Sequence, residues 1–285
     1  MDISKLKEKC SLSEFRPNKR LGQNFLVDSN IRDKILGVLP ITKDTPILEI
    51  GPGFGMMTEG LAEMGQNVHA VEKDPKLYHS MEDTFGGRSN VKVIMSDILD
   101  VDIEAIGKNV GKKLFVYGNI PYNITAPIIE KAIENRSVIR ALYMVIQDEV
   151  ALRLCASPGN KIYGTITCYA GFYGKVRRFF KISRNCFFPK PKVDSALVGI
   201  DFSEKPRIDV KDEEMMFRII RKAFSQRRKK ILNPLSSSDF MGRGREAWSE
   251  ILNSAKVDAS LRAEDVSLEE YARISDEAMK ALPEC

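Results

Sequence analysis

Long apolar runs are missing from this sequence. No stretch approaches the roughly 20 apolar residues that a membrane-spanning helix needs. The first ten residues alternate charged and apolar side chains and lack the apolar core of a signal peptide. The five cysteines are odd in number, scattered and never spaced as CxxC, so neither a disulfide framework nor a zinc site is indicated. We therefore expect a cytoplasmic protein with reduced cysteines and no bound metal.

A large excess of positive charge is also missing. The 44 basic residues are nearly balanced by 39 acidic ones, which leaves a formal net charge of +5 over 285 residues. A surface for nucleic acid would have to come from local basic clusters, and each such cluster is equally compatible with a solvated face. The local clusters are Arg16, Lys19 and Arg20; Lys175, Arg177, Arg178 and Lys181; Lys190 and Lys192; and the run Arg227, Arg228, Lys229 and Lys230. We take the last two clusters as the candidates for nucleic-acid contacts.

Short runs of β-branched residues alternate with stretches of helical periodicity from about Thr45 onward. The predicted strands are residues 47–50, 68–72, 91–96, 114–117 and 141–147. This alternation predicts an α/β fold with a mostly parallel sheet and helices on both of its faces. Residues 193–202 follow a proline-containing segment and predict a late strand, for which an antiparallel orientation is one option.

The strand pattern stops near residue 205. Residues 212–224, 244–255 and 268–282 show amphipathic helical periodicity and are separated by clusters of Gly, Pro or Ser. We predict two domains: residues 1–205 with the sheet, and residues 206–285 as a small all-α domain.

Three glycines follow the first predicted strand in the segment LEIGPGFG, at Gly51, Gly53 and Gly55. Glycine allows the tight turn and the close approach of a ligand that such a position requires. The spacing GxGxG differs from the GxGxxG of dinucleotide sites, a proline separates the first two glycines, and a glutamate, Glu49, stands two residues upstream. These differences favour S-adenosylmethionine, which has no pyrophosphate and needs no phosphate cradle.

An acidic residue stands at the end of each of the next two strands, Glu72 and Asp97. Ligands of open α/β sheets lie across the carboxyl ends of the strands. Glu72 can accept hydrogen bonds from both ribose hydroxyls, and Asp97 can accept one from an adenine amine. Either residue could instead cap a helix, Glu72 in VEKDP and Asp97 in SDIL. Together with the glycines, in this order, they favour a cofactor site.

The fourth strand ends in GNIPYN, which places a polar side chain, a proline and an aromatic ring beside the predicted cofactor. An exocyclic aromatic amine is a poor nucleophile because its lone pair is delocalised into the ring. The side-chain oxygen of Asn119 and the backbone carbonyl of Ile120 can accept its two hydrogens and orient the lone pair. Pro121 fixes the turn, and Tyr122 offers a face on which an unstacked base can stack. A purely structural turn is the alternative.

Seven segments resemble motifs of one family, the ribosomal RNA adenine-N6,N6 dimethyltransferases, and they span nearly the whole chain. The segments are KRLGQNFL at 19–26, LEIGPGFGMMTE at 48–59, VEKD at 71–74, SDIL at 96–99, GNIPYNI at 118–124, FFPKPKVDSALV at 187–198 and FSQRRKKI at 224–231. The resemblance implies a class I, Rossmann-like methyltransferase with a seven-stranded sheet. It also implies that residues 1–205 bind S-adenosylmethionine and catalyse transfer, while residues 206–285 bind rRNA.

The resemblance further implies roles for individual residues. Phe187 is expected to stack on the target base opposite Tyr122, although composition alone indicates a core residue. The residues expected to line the cofactor pocket are Gln23, Asn24, Leu26, Gly51, Glu72, Asp97 and Asn119. The implied reaction is direct transfer of two methyl groups to adenine N6, without a metal or a covalent enzyme intermediate.

The implied substrate is a pair of adjacent adenosines in the 3′-terminal helix loop of small-subunit, 16S-type rRNA, methylated in a partly assembled 30S-type subunit. Nothing in the sequence demands more than a monomer, and we expect a monomeric enzyme. One departure concerns residue 120, because the small-subunit enzymes usually read NLPY where this chain reads NIPY, as some large-subunit resistance enzymes do. The glycine in KRLGQNFL and the segment FSQRRKK favour the small-subunit branch. The alternatives are a large-subunit methyltransferase of the macrolide-resistance type and a non-catalytic RNA-binding assembly or transcription factor.

Overall fold

The computed structural model describes residues 16–18, 22–121 and 124–280, apart from the side chains of residues 238 and 239. The chain divides into two compact units. Unit 1 comprises residues 1–151 and 175–204, and unit 2 comprises residues 152–174 and 205–285.

A seven-stranded sheet forms the centre of unit 1. Its strands are β2 (Ile47–Ile50), β3 (Val68–Glu72), β4 (Val91–Met95), β5 (Leu114–Asn119), β6 (Ile139–Gln147), β7 (Gly174–Ile182) and β9 (Ser195–Phe202). They lie in the order β4-β3-β2-β5-β6-β9-β7, with β2 to β6 mutually parallel and β9 antiparallel to β6. The predicted α/β class, the mostly parallel sheet and the late strand are confirmed.

The central strands are apolar because both of their faces are covered. All four residues of β2 are buried, including Glu49, and five of the six residues of β5 are buried. Continuous apolar runs are typical of parallel strands between two helical layers. Strand β7 lies at the sheet edge, and its mixture of exposed and partly buried residues gives no clear strand pattern in the sequence.

Helices connect the strands of unit 1, and aspartate side chains cap three of them. Asp28, Asp74 and Asp102 accept hydrogen bonds from backbone N–H groups in the first turns of the helices that follow them. The helices of this unit are α1 (Ser29–Leu36), α2 (Met56–Met64), α3 (Pro75–Phe85), α4 (Ile103–Val110), α5 (Thr125–Glu134) and α6 (Asp148–Leu154), the last of which ends in unit 2.

A second, two-stranded sheet joins distant parts of unit 1. Strand β1 (Phe25–Leu26) pairs antiparallel with β8 (Phe187–Phe188), so that Leu26 lies opposite Phe187. The backbone N–H of Val27 also donates to the carbonyl of Cys186 at 2.9 Å. Residues 25–27, which precede helix α1, are thereby attached to residues 186–188, which precede strand β9.

Unit 2 is helical. Its helices are α7 (Thr165–Tyr173), α8 (Glu213–Phe224), α9 (Leu232–Leu235), α10 (Arg245–Ser254) and α11 (Leu268–Lys280). The sequence pattern predicts that residues 152–174 belong to the sheet domain, whereas in the structure they cluster with the other helices. The physical reason is aromatic packing, since the rings of Tyr169 and Phe172 in α7 lie 5.1 and 5.3 Å from the ring of Phe217 in α8. No helix among the described residues is long and apolar enough to cross a membrane.

Candidate active site

A cavity of about 210 Å³ lies at the carboxyl ends of β2, β3, β4 and β5 in unit 1. The parallel strands bring together residues that are far apart in the sequence at this edge. Its lining includes these predicted site residues: Gln23, Asn24, Gly51, Gly53, Glu72, Asp97, Asn119, Ile120, Pro121 and Phe187. Leu26 lines a smaller inner cavity of about 40 Å³ next to it, and Tyr122 lies outside the described residues.

The glycine turn after β2 forms one wall of the cavity. Gly51 and Gly53 have φ angles of +64° and +60°, a region that other residues rarely adopt. A β-carbon on Gly53 would also lie 2.9 Å from the ring of Phe25. Both glycines are therefore required by backbone geometry, and a larger residue at position 53 would also displace the ring of Phe25.

Glu72 is a buried carboxylate held by two backbone N–H groups. Gly53 donates to its Oε2 at 3.2 Å, and Asp74 donates to its Oε1 at 2.9 Å. Burial raises the pKa of Glu72 to about 6, although these two hydrogen bonds favour the ionised form. The helix cap in VEKDP is Asp74, which accepts from the N–H of Lys76, and so the capping alternative does not apply to Glu72.

Asp97 combines a cap with a position in the cavity. Its Oδ1 accepts from the N–H of Leu99 at the start of a 3₁₀ turn, and its Oδ2 lies 2.5 Å from Nζ of Lys73. Partial burial opposes ionisation of Asp97, but the hydrogen bond and charge of Lys73 hold its pKa below the ordinary value. The carboxylate is thus ionised at neutral pH and is available at the rim of the cavity.

The side chain of Asn119 has a defined orientation. Its Nδ2 donates to the backbone carbonyl of Asn24 at 2.8 Å, which leaves its Oδ1 as the acceptor on the other side. The backbone N–H of Ile120 donates to the carbonyl of Val145 at 3.1 Å and fixes the turn that follows β5. The buried ring of Phe187 lines the same cavity, carried there by the β1–β8 pairing.

A second buried acid, Glu49, lies behind the glycine turn. It accepts a hydrogen bond from the hydroxyl of Thr58 at 2.6 Å, and burial raises its pKa to about 8. The hydroxyl of Tyr117, which also lines the inner cavity, is buried without a hydrogen-bond partner among the residues that the structure describes. The segment LEIGPG places Glu49 two residues before the first glycine, but the sequence alone does not indicate that its carboxyl group is buried and bound to Thr58.

All four residues of the basic segment, residues 227–230 of unit 2, are exposed. Arg227 differs from Arg228 and Lys229 in that its side chain makes hydrogen bonds within unit 2. Nη2 of Arg227 donates to the carbonyls of Lys161 and Tyr163 at 2.8 and 2.7 Å and lies 3.1 Å from Oε2 of Glu264. Arg228 and Lys229 carry exposed charges, as do Lys190 and Lys192 in unit 1. Within the described residues, no group of three or more His, Cys, Asp or Glu side chains is arranged to hold a metal ion.

Known proteins share this architecture. The crystal structure of the 23S rRNA methyltransferase ErmE matches with a TM-score of 0.68 and 25% identity, covering 89% of this chain and 98% of that one. The sheet order, the glycine turn and the cavity at the strand ends accordingly define a Rossmann-like methyltransferase. A model of the family "Ribosomal RNA adenine dimethylase" matches residues 14–280. The chain belongs to the ribosomal RNA adenine dimethylase family, and it is an rRNA-modifying methyltransferase.

Relatives from two bacteria are similar over nearly their full lengths. "Ribosomal RNA small subunit methyltransferase A" of Alkaliphilus oremlandii is 35% identical over 280 residues, which is 98% of this chain and 97% of that protein. The protein of the same name in Pelotomaculum thermopropionicum is 38% identical over 274 residues, covering 93% and 92%. Both units of the chain are therefore part of the similarity.

Proposed function

We propose that this chain uses S-adenosylmethionine to dimethylate N6 of two adjacent adenosines in the 3′-terminal helix loop of small-subunit rRNA. The substrate would be a partly assembled 30S-type subunit in the cytoplasm, and the enzyme would act as a monomer during ribosome biogenesis. Support for the small-subunit target comes from the names of the relatives at 35% and 38% identity, compared with 25% for the large-subunit enzyme ErmE.

The observation that carries the chemistry is the oriented amide of Asn119. Because its Nδ2 is bound to the carbonyl of Asn24, its Oδ1 is the atom that can accept a hydrogen bond from a substrate amine. With the carbonyl of Ile120 as a second acceptor, both amine hydrogens would be held and the nitrogen lone pair directed at the methyl donor. Phe187 would stack on the base and keep water away from it, and the proton lost from N6 would pass to solvent.

The hydrogen-bond acceptors of the cavity and the shape of its glycine turn fit S-adenosylmethionine. Glu72 presents a carboxylate for the ribose hydroxyls, Asp97 presents one for the adenine amine, and the glycine turn leaves room for a ligand beside its backbone. When bound, this cofactor supplies an electrophilic methyl group on a sulfonium. We assign Gln23, Asn24, Leu26, Gly51, Gly53, Glu72, Asp97 and Asn119 to its pocket.

The RNA contacts are proposed for exposed basic residues. Lysine and arginine bind phosphates and make the affinity dependent on salt. We assign Arg228 and Lys229 to this role together with Lys190 and Lys192, and we assign Arg227 and Lys230 as members of the same segment. Among these, Arg227 also has the internal hydrogen bonds described above.

The test is transfer of labelled methyl from S-adenosylmethionine to undermethylated small subunits and, in parallel, to protein-free large-subunit RNA, followed by nucleoside analysis. We expect dimethyladenosine in the small-subunit RNA alone. Product in the large-subunit RNA would instead indicate the resistance branch, which the structural similarity to ErmE keeps as the second candidate. RNA binding without any product would indicate a non-catalytic assembly or transcription factor.

A further inference from the structure

A chain of hydrogen bonds runs from the glycine turn to the N-terminal strap, which we define as residues 22–26. Glu72 accepts from the N–H of Gly53 and from the N–H of Asp74. The carboxylate of Asp74 in turn accepts from Nε2 of Gln23 at 2.9 Å. The two acidic residues and the strap are thus linked through hydrogen bonds of 2.9 to 3.2 Å.

Asp74 uses its two oxygens for different purposes. Its Oδ1 caps helix α3 through the N–H of Lys76 at 3.0 Å, and its Oδ2 accepts from Gln23. The residue is buried, with 9% of its surface exposed, although it does not line the cavity. A helix cap needs only one carboxylate oxygen, and an asparagine would serve equally well. The second oxygen is therefore the part of Asp74 that the helix alone does not explain.

Gln23 is oriented by its contacts on both sides. Its Oε1 accepts from the backbone N–H of Asn18 at 2.7 Å, so its Nε2 is the atom that faces Asp74. The next residues of the strap are attached by the Asn119–Asn24 hydrogen bond and by the pairing of β1 with β8. The Gln23–Asp74 bond attaches residue 23 to Asp74, whose own N–H donates to Glu72.

We propose that Asp74 is a positioning residue for cofactor binding, which holds the strap closed over the ribose end of the cavity through Gln23. The inference rests on the proposed function, because it takes S-adenosylmethionine as the occupant of the cavity. Gly22, Gln23, Asn24 and Phe25 all line that cavity, so release of the strap at this end opens a wall of it. The expected consequence is faster loss of the cofactor rather than a slower chemical step.

The test exchanges the hydrogen-bond donor and acceptor of the Gln23–Asp74 pair, first one residue at a time and then both together. In Asp74→Asn the cap to Lys76 persists, but an amide donor faces the Gln23 donor; in Gln23→Glu two carboxylates face each other. In the double variant the new asparagine can donate to the new glutamate, which still accepts from Asn18. Asp102→Asn is the matched control, since Asp102 likewise caps a helix, through the N–H of Ala105, and lies outside the cavity lining.

The measurement is calorimetric binding of S-adenosylmethionine to the full chain, with the melting temperature of the cofactor-free protein recorded beside it. Removal of one charge-assisted hydrogen bond predicts a roughly ten-fold higher Kd for each single variant. For Asp74→Asn, which lies outside the cavity lining, kcat for rRNA should be retained at saturating cofactor. The double variant should recover to within about three-fold of the original Kd, and Asp102→Asn should leave the Kd unchanged.

Two outcomes would overturn the positioning role. One is a Kd unchanged in both single variants; the other is a double variant that binds as weakly as the sum of the single effects. A lowered melting temperature with unchanged affinity would show that the contact is only structural. Failure of the original chain to bind S-adenosylmethionine at all would remove the proposed function itself, and the two failures are therefore distinguishable.

Discussion

The cavity of unit 1 and the basic segment of unit 2 use charged residues in opposite ways. In the cavity, Glu72 is buried and both of its oxygens accept backbone hydrogen bonds at fixed distances. In the basic segment, Arg228 and Lys229 are exposed and differ little from any other surface cation. Fixed geometry thus gives a cavity residue an individual role, whereas an exposed cation contributes mainly through the number of charges.

The largest effect is expected at Asn119, where geometry is most demanding. Asn119→Ala removes the acceptor for the substrate amine, and we expect methyl transfer to fall by roughly 100-fold or more while RNA binding is kept. Single-turnover transfer and an RNA-binding titration measure the two quantities. Asn135→Ala, which removes a hydrogen bond to Lys131 outside the cavity, is the control. Near-normal transfer by Asn119→Ala would remove the proposed orienting role.

Glu72 should show a smaller effect with a characteristic pH dependence. Glu72→Gln replaces a charged acceptor, which predicts a roughly 10- to 100-fold decrease in S-adenosylmethionine affinity. Because burial raises the pKa of Glu72 to about 6, the original chain should bind less tightly as the pH falls through 6. The depressed pKa of Asp97 keeps that group ionised over the same range. Calorimetric titrations from roughly pH 5 to roughly pH 8 should show this decline in the original chain and its absence in Glu72→Gln.

Within the basic segment, some residues should affect RNA binding and others the stability of the fold. Arg228→Gln with Lys229→Gln is expected to weaken binding to small subunits several-fold and to lower the salt dependence, by about 0.7 to 0.9 in log–log slope for each phosphate that is no longer neutralised. Arg227→Ala removes hydrogen bonds to two carbonyls and should lower the melting temperature instead. Equal effects of both changes on RNA affinity, with unchanged stability, would contradict this division.

The smallest effect is expected for the buried acid behind the glycine turn. The pKa of Glu49 is raised to about 8 in the folded chain, so between its ordinary value and pH 8 the folded state retains a proton that the unfolded state releases. Stability should therefore fall as the pH rises through this window. Glu49→Gln should melt close to the original chain at low pH and a few degrees above it at alkaline pH. A difference in melting temperature that does not change with pH would argue against a protonated Glu49.

Much of the fold is predictable because its periodic signals are local. The predicted strand at residues 47–50 matches β2, and the predicted helix at 212–224 differs from α8 only in its capping residue, Asp212. Strand β7 and the grouping of residues 152–174 with unit 2 are not predictable in the same way. Both depend on partners distant in the sequence, the neighbouring strand β9 for the first and Phe217 for the second.

The motifs predicted which residues come together, because glycines and acids at the ends of parallel strands meet at one edge of the sheet. Ten of the predicted catalytic and cofactor residues line one cavity. The contacts of each polar atom are visible only in the folded chain. Asp74 rather than Glu72 caps the helix, Asn24 orients Asn119, and Gln23 reaches Asp74. The physical reason is that a hydrogen bond depends on distances and angles between atoms, and these arise only when segments such as 22–26, 72–74 and 119 are packed together.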